Sequence, residues 1–235
     1  MRATVVVLLA GFALAACGGG RSTGYTVSDV KAAYFKARDG GPAMQGYFQN
    51  PDDHAHSNYV PFGGLEVCPL AQRASYTAPG LVANAIEPAA AEPVQQFVVA
   101  PKSPDDFRTP TITQGALVFG TSAIAESGMN AVGSGMEKCP TSYEVRGGPS
   151  PILGTYGASS RPVEIAGWKG VLQQIAHTFP PGQDDVYYED LAHVVVRRAN
   201  VILYLDVTHQ KIIGERADAS ATAERALKTV LKRLG

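Results

Sequence analysis

The chain has 235 residues, and 20 Lys and Arg stand against 21 Asp and Glu, so the formal net charge is −1. Hydrophobic residues make up 45% and charged residues 17%. This balance excludes a wholly disordered chain, which would carry more charge and fewer apolar residues. It also argues against a nucleic-acid partner, because such proteins need a basic surface. Three cysteines are too few for a disulfide-framed miniprotein.

The first segment has the pattern of an export signal. Arg2 precedes an apolar stretch that ends in small residues and is too short to span a membrane. The run Leu14-Ala15-Ala16-Cys17 resembles the lipobox of bacterial lipoproteins, in which the cysteine receives a diacylglyceryl group and two acyl chains give stable anchoring. We expect a lipoprotein signal peptide over 1–16, removed on export, then lipidated Cys17 and a flexible tether over 17–24. The alternative is an ordinary cleaved signal followed by a chance cysteine.

The two remaining cysteines are Cys68 and Cys139. An even pair in an exported chain favours a disulfide. In the chain-entropy model a bridge between them would stabilise the fold by about 4 kcal/mol. The alternative is two free buried thiols. A metal or catalytic role is less favoured, because the chain has no CxxC motif and no nearby set of histidine ligands.

The first half of the mature chain alternates helical and strand patterns. Apolar spacing over 26–38 predicts a helix that ends at Gly40-Gly41-Pro42. Strands are predicted over 95–100 and 111–119, and a glycine-weakened helix runs from Thr121 to Cys139. A short strand is predicted over 143–146. The Gly/Pro/Ser-rich stretch 147–162 predicts a loop or a subdomain junction, with Trp168 in a linker.

The last third of the chain gives the clearest pattern. Short strands are predicted over 186–189, 192–198 and 201–208, and Ala199-Asn200 forms a tight hairpin turn, because Asn tolerates positive φ. Residues 218–234 carry one apolar stripe and predict a helix. Its basic face is expected to be solvated, and contact with anionic lipid is the alternative. The whole pattern predicts an α+β fold, a twisted antiparallel sheet with helices packed against it, as one domain over 25–235.

Three stretches resemble the actinobacterial extracytoplasmic sensor-domain family, which includes the outer domain of PknH-type receptor kinases and several lipoproteins. They are Cys68-Pro69-Leu70-Ala71, the strand and helix from Ile112 to Cys139, and the hairpin Val194–Ile202. The chain departs from the kinase members by lacking a second cysteine pair and a Trp near the helix-end cysteine, and by having Ala199 where the family has glycine.

The resemblance implies that the chain binds an unidentified small ligand, in a cleft beside the sheet, and implies no chemistry. Candidate ligand contacts are Arg197, Arg198, Tyr187, Tyr188 and Trp168. Arg197 and Arg198 point to opposite faces of a strand, so one is expected in solvent. The other is expected in a structural ion pair, for example with Asp206, or in contact with an anion in the cleft.

No motif for catalysis or cofactor binding is met. The chain has no GxSxG, SxxK, P-loop or HExxH pattern, and we expect no catalytic residue, no cofactor and no metal. Weak metal candidates are His54 and His56 beside Asp52-Asp53, for which solvation is the simpler interpretation. The acidic residues Asp184-Asp185 and Glu189-Asp190 could act in acid–base catalysis or bind calcium. We favour the simpler interpretation that they lie in a solvated loop and strand edge.

We therefore expect a non-enzymatic, lipid-anchored sensor or binding domain on the extracytoplasmic face of the cell membrane. Its partner would be a small ligand or an envelope protein. Two alternatives stay open at this point. One is a hydrolase acting on envelope material, with the acidic stretch or His54 and His56 as its site. The other is a structural lipoprotein that supports an envelope complex through a large exposed apolar patch.

Overall fold

A computed structural model describes residues 24–49, 65–66, 85–86, 90–106, 108–137, 139–146, 152–178, 187–212 and 218–235. Within these residues the elements are, in chain order, α1 (Val27–Ala33), α2 (Ala37–Gly40), β1 (Met44–Phe48), β2 (Leu65–Glu66), β3 (Ala85–Ile86), β4 (Ala91–Pro101), β5 (Thr111–Phe119), α3 (Ser122–Met136), β6 (Ser142–Arg146), β7 (Ile152–Ile165), β8 (Trp168–Thr178), β9 (Tyr187–Arg198), β10 (Val201–Ile212) and α4 (Ala219–Leu234).

Eight of these strands form one sheet in the order β1-β4-β5-β10-β9-β8-β7-β6, and β2 pairs with β3 separately. Every neighbouring pair in the large sheet is antiparallel. The predicted α+β class is therefore confirmed. The two longest apolar strands, β9 and β10, lie at the centre, where both faces are covered.

Side chains alternate between the two faces of the sheet, as strand geometry requires. We call one side the α4 face, because Val194, Val196, Leu203 and Leu205 form a single core with α1 and α4 there. The opposite side is the α3 face, on which α3 packs through Ala125 and Val132 against Leu117, Phe119, Val195, Ile202 and Tyr204.

Helix α4 is held on its face by its apolar stripe and by two carboxylates at its start. Ala223, Leu227 and Val230 are buried, as the 3.6-residue spacing predicts. Asp218 caps the helix by accepting from the Ala221 N–H, and buried Asp190 accepts from the Ala219 N–H at 2.8 Å. Negative charge suits this positive end of the helix dipole.

The β9–β10 turn is the predicted Ala199-Asn200 pair, although Ala199 takes the positive φ, at 49°. The Asn200 side chain instead holds the start of the domain. Its Nδ2 donates to the carbonyls of Tyr25 and Phe119, at 3.0 and 2.9 Å, and its Oδ1 accepts from the Tyr25 N–H at 2.8 Å. The hairpin thus fixes the point where the domain begins.

The predictions for the first helix and for the region of β7 and β8 were wrong. The helix expected over 26–38 is broken into α1 and α2, because buried Gln114 hydrogen-bonds both backbone groups of Phe35. Residues 152–162, expected to form a loop, and Trp168, expected in a linker, instead lie in the long strands β7 and β8, whereas 147–151 are outside the described residues. Pro162 is tolerated in β7 because β7 pairs only with β8 at that position, so the missing N–H costs no ladder bond.

Candidate functional site: a polar row across the sheet

Five polar residues stand side by side on the α3 face. In register across adjacent strands, Thr113 lies opposite Asp206, Asp206 opposite His193, His193 opposite Gln173, and Gln173 opposite Ser160. Residues directly opposite on a sheet have Cβ atoms about 5 Å apart. We call these five residues the polar row. It crosses β5, β10, β9, β8 and β7, between flanking positions that are largely apolar.

The centre of the row is a carboxylate–imidazole pair. His193 is 2% exposed, and its Nδ1 lies 2.5 Å from Asp206 Oδ1. The Asp206 side chain is 32% exposed, so the pair has one buried and one accessible member. A carboxylate in this position fixes the orientation and tautomer of the imidazole, which can then bind a polar group or transfer a proton.

Gln173 continues the row on the other side of His193. Its side chain is buried, and its Oε1 has no hydrogen-bond partner within the described residues. A buried carbonyl oxygen left without a donor costs about 1–3 kcal/mol. An arriving donor group would therefore regain that free energy at this atom.

Tyr204 lies next to the polar row, two residues before Asp206 on β10, in the cluster that packs against α3. Its ring lies over Gly115, where a Cβ would stand 2.2 Å from the phenol oxygen, and that oxygen accepts from Gln96 Nε2 at 2.7 Å. Burial raises the pKa of Tyr204 above its ordinary value, and nearby Asp206 adds to the effect. The phenol is therefore neutral across the physiological pH range and acts as a hydrogen-bonding group.

His177 lies on β8, four residues beyond Gln173. Its ring stacks on Tyr156, with centroids 4.2 Å apart. Burial lowers the pKa of His177 below its ordinary value. The imidazole is therefore neutral at pH 7 and stacks on Tyr156 as an uncharged ring.

The two arginines do point to opposite faces, but neither pairs with Asp206. Arg197 donates to Ser122 at the start of α3 and lies 3.7 Å from Glu126. Arg198 donates to the carbonyls of Ala166 and Gly235. The expected ion pair between an arginine and Asp206 is therefore wrong, and Asp206 pairs with His193 instead. In the register Asp206 lies opposite His193, whereas Arg197 lies opposite Ile202.

The other expected ligand contacts are not brought together with the arginines. Tyr187 and Tyr188 begin β9, whereas Arg197 and Arg198 end it, about 35 Å away at the rise of an extended strand. Trp168 is fully buried in the core of the α4 face, where its ring packs beside Tyr25. Its position gives it a structural role in this fold.

The acidic residues considered in the sequence differ in where the structure places them. Asp190 is 2% exposed and anchors the first turn of α4, so the expectation of a solvated strand edge is wrong for this residue. Asp184, Asp185, His54 and His56 lie outside the described residues. Within the part of the chain that is described, no group of three or more His, Cys, Asp and Glu side chains is placed to hold a metal ion.

Of the three cysteines, the structure describes only Cys139, which lies just beyond α3. It is disulfide-bonded to a partner that lies outside the described residues. The pairing with Cys68 therefore stays a prediction, as does lipidation of Cys17, since residues 17 and 68 are also outside that part of the chain.

Exposed apolar surface is sparse on the described elements. The large exposed hydrophobic side chains there are Tyr47, Phe48 and Ile124. Tyr47 and Phe48 are successive residues of the edge strand β1 and point to opposite sides, and Ile124 is on α3. No described helix is long and apolar enough to cross a bilayer.

The polar row was missed in the sequence, although part of it carries a signal. His193 is the sixth residue before the Ala199-Asn200 turn, and Asp206 is the sixth after it. A two-residue turn places these two positions opposite each other. The remaining members come from β5, β7 and β8, whose order in the sheet is not evident from the local sequence.

Comparison with known proteins adds two structural similarities. No family model matches the chain, and no curated protein does. The extracellular domain of PknH from Mycobacterium tuberculosis is 12% identical, with 89% of this chain and 97% of that one covered, at a TM-score of 0.49. A putative uncharacterized protein from Mycobacterium smegmatis is 10% identical, with 88% and 94% covered, at a TM-score of 0.34. Both TM-scores lie below 0.5, and neither match carries an argument about function.

Proposed function

We propose that this chain is a lipid-anchored extracytoplasmic domain that binds a small polar ligand at the polar row without transforming it. The anchor is supported by the Leu14–Cys17 run and the short glycine-rich tether after it. The binding role is supported by the α3 face, where a sheet with two covered faces would otherwise carry apolar residues throughout.

One observation carries the binding role. The Gln173 carbonyl oxygen is buried and has no donor within the described residues, beside an imidazole already oriented by Asp206. A ligand with a hydrogen-bond donor would satisfy that oxygen and contact the His193–Asp206 pair in the same pose. Sites of this kind, a few convergent polar groups among apolar ones, are typical of small-molecule recognition.

The binding role is tested by native mass spectrometry of residues 18–235, secreted into an oxidising compartment and desalted gently. We expect extra retained mass on the wild type and none on Gln173→Leu. Gln45→Leu is the matched control, because Gln45 is exposed on the far edge of the sheet, and it should keep the extra mass. Equal retention by all three chains would refute the site.

The same spectrum tests the proposed Cys68–Cys139 disulfide. The intact protein should weigh two hydrogens less than its fully reduced form. A protease digest without reductant should then yield one linked pair of peptides that contain these two cysteines. Recovery of both peptides as free thiols would remove the bridge from the proposal.

The anchor is tested in a bacterial host by metabolic labelling with an alkynyl fatty acid. The wild-type chain should take up the label and sediment with membranes, whereas Cys17→Ser should lose both properties. Ser22→Ala, five residues further along the tether, should behave like the wild type. An unlabelled, soluble wild-type chain would leave the ordinary secreted signal as the correct interpretation.

A second function, hydrolysis of envelope material, is favoured by one specific contact. The 2.5 Å His193–Asp206 pair has the geometry by which a carboxylate orients a general base. Purified protein incubated with isolated cell envelope would then release soluble fragments, and Asp206→Asn would slow that release. Absence of release from the wild type leaves the binding role as the better account.

A further inference from the structure

The start of the domain is held at one end of the sheet, which we call the hairpin end. It comprises the turns Ala199-Asn200 and Ala166-Gly167 and the beginning of α3. Asn200 makes three hydrogen bonds that hold Tyr25 and Phe119 there, and the Tyr25 ring packs beside Trp168, at the start of β8. The chain therefore enters the domain at a fixed place.

The tether that leads to this place is short. Six residues, 18–23, lie between Cys17 and Gly24, where the described chain begins, so the connection has seven residue steps. Fully extended, they reach about 25 Å. As a flexible glycine-rich coil they span about 15 Å on average.

The far end of the sheet lies somewhat further from the hairpin end than the fully extended tether reaches. The turn between β4 and β5, residues 102–110, lies at the opposite end of β5 from the hairpin end, and β5 has nine residues. At about 3.4 Å per residue, the two ends are about 30 Å apart. A lipid on Cys17 therefore keeps the hairpin end within about 25 Å of a bilayer, and an upright domain places the 102–110 turn about 30 Å further away.

Two basic side chains of the hairpin end are paired with carboxylates, and a third, Arg198, donates to the carbonyls of Ala166 and Gly235. Exposed Lys169 lies 3.8 Å from Glu164, and Arg197 lies 3.7 Å from Glu126. Arg233 at the end of α4 is paired with Asp39. Ion pairs of this kind leave little net attraction for anionic lipid.

We propose that the hairpin end is the surface of this domain that lies against the lipid bilayer. The polar row then stands above the lipid headgroups, because His193 is six residues, about 20 Å, along β9 from the turn. Its ligand would come from the aqueous space of the envelope rather than from the headgroup layer. This inference rests on the proposed anchor at Cys17.

Energy transfer tests the orientation in the lipidated full-length mature chain, reconstituted on vesicles that carry a headgroup acceptor dye. A donor dye is attached through Lys169→Cys at the hairpin end or through Ser103→Cys at the far end, both exposed positions. We expect at least about twofold more transfer from position 169, given the ~30 Å difference in height. Equal transfer, or more from position 103, would overturn the orientation.

Two further arms separate the tether from charge. Inserting 20 Gly and Ser residues after Gly20 should remove most of the difference, because the coil then spans about 30 Å. The difference should be the same on phosphatidylcholine vesicles with or without phosphatidylglycerol. A difference that survives the insertion, or that needs the anionic lipid, would refute the tether as its cause.

The unlipidated Cys17→Ser chain distinguishes the two proposals. If the anchor is correct, neither label transfers energy to vesicles in this chain. Undiminished transfer would refute the anchor itself. Loss of transfer from Cys17→Ser, together with equal transfer from both labels in the lipidated chain, would refute the orientation and leave the anchor standing.

Discussion

The buried amide and ionisable side chains on the two faces of the central sheet differ in their partners, although the α4 face also buries Tyr34 Oη and Trp168 Nε1 without a partner among the described residues. On the α4 face, Gln114 and Asp190 are buried, and each binds backbone groups of a neighbouring segment, at Phe35 and at the start of α4. On the α3 face, His193 and Asp206 pair with each other, and Gln173 Oε1 has no partner within the described residues. The first arrangement stabilises the fold, whereas the second leaves the Gln173 carbonyl oxygen able to accept a hydrogen bond from a ligand.

The largest expected effect tests the packing of the α4 face. Leu203 is 1% exposed in that core, so Leu203→Ala should lower the free energy of unfolding by about 3 kcal/mol, as for other buried leucines. Val171→Ala, half-buried on the α3 face, should cost only about 1 kcal/mol. Urea unfolding followed by circular dichroism measures both. Equal losses would show that side-chain size and exposure do not set the cost at these two positions.

The next effect concerns Asp190, the buried carboxylate that holds α4. Asp190→Ala should lower the free energy of unfolding by about 2 kcal/mol, because the Ala219 N–H loses a charged acceptor. Asp190→Asn keeps an acceptor oxygen and should lose less. Thermal unfolding compares the two variants, and a harmless Asp190→Ala would mean that water replaces the carboxylate.

A smaller effect of opposite sign is expected in the polar row. Gln173→Leu removes a buried carbonyl oxygen and fills the same space with apolar atoms, so stability should stay level or rise by about 1 kcal/mol. Any bound ligand should be lost at the same time. Destabilisation comparable to that of Leu203→Ala would make Gln173 a structural residue, like Gln114.

The smallest effect is expected in the Ala199-Asn200 turn, which belongs to neither face, so a substitution there serves as a control. Ala199 has a φ of 49°, a conformation that glycine adopts more easily, and Ala199→Gly should stabilise by about 0.5 kcal/mol. Ligand retention should be unchanged, since the turn is about 20 Å from His193. Calorimetry measures the shift in the unfolding temperature. A lower temperature would show that the unfolded-state entropy of glycine outweighs the relief of strain.

Local pattern was enough to predict several elements closely. Strand 111–119 matches β5, the helix expected over 218–234 matches α4 within one residue at its start, and the turn at Ala199-Asn200 is as expected. The signals for these segments are local: an apolar period in the strand and the helix, a cap at the helix start, and an Asn in the turn. Strand β7 was missed because Gly154, Gly157, Ser159, Ser160 and Pro162 favour turns, and only pairing with β6 and β8 makes it a strand.

The expected break between 186–189 and 192–198 fails for a related reason. Asp190 is a poor strand residue by itself, yet it continues β9 because its carboxylate binds the start of α4, a segment nearly thirty residues later. In the same way, the helix expected over 26–38 is interrupted by the side chain of Gln114 from β5. Both corrections come from long-range hydrogen bonds that local propensity does not contain.

The sequence by itself determined the class of the fold, the central hairpin and the last helix, because periodicity, turn chemistry and caps act within a dozen residues. The same local chemistry gives the prediction of an anchor at Cys17. Only the tertiary structure decided the order of the eight strands and therefore the polar row, whose members Ser160, Gln173 and His193 come from three different strands. Antiparallel pairing placed them side by side, and packing of α4 on the opposite face left this side for polar groups.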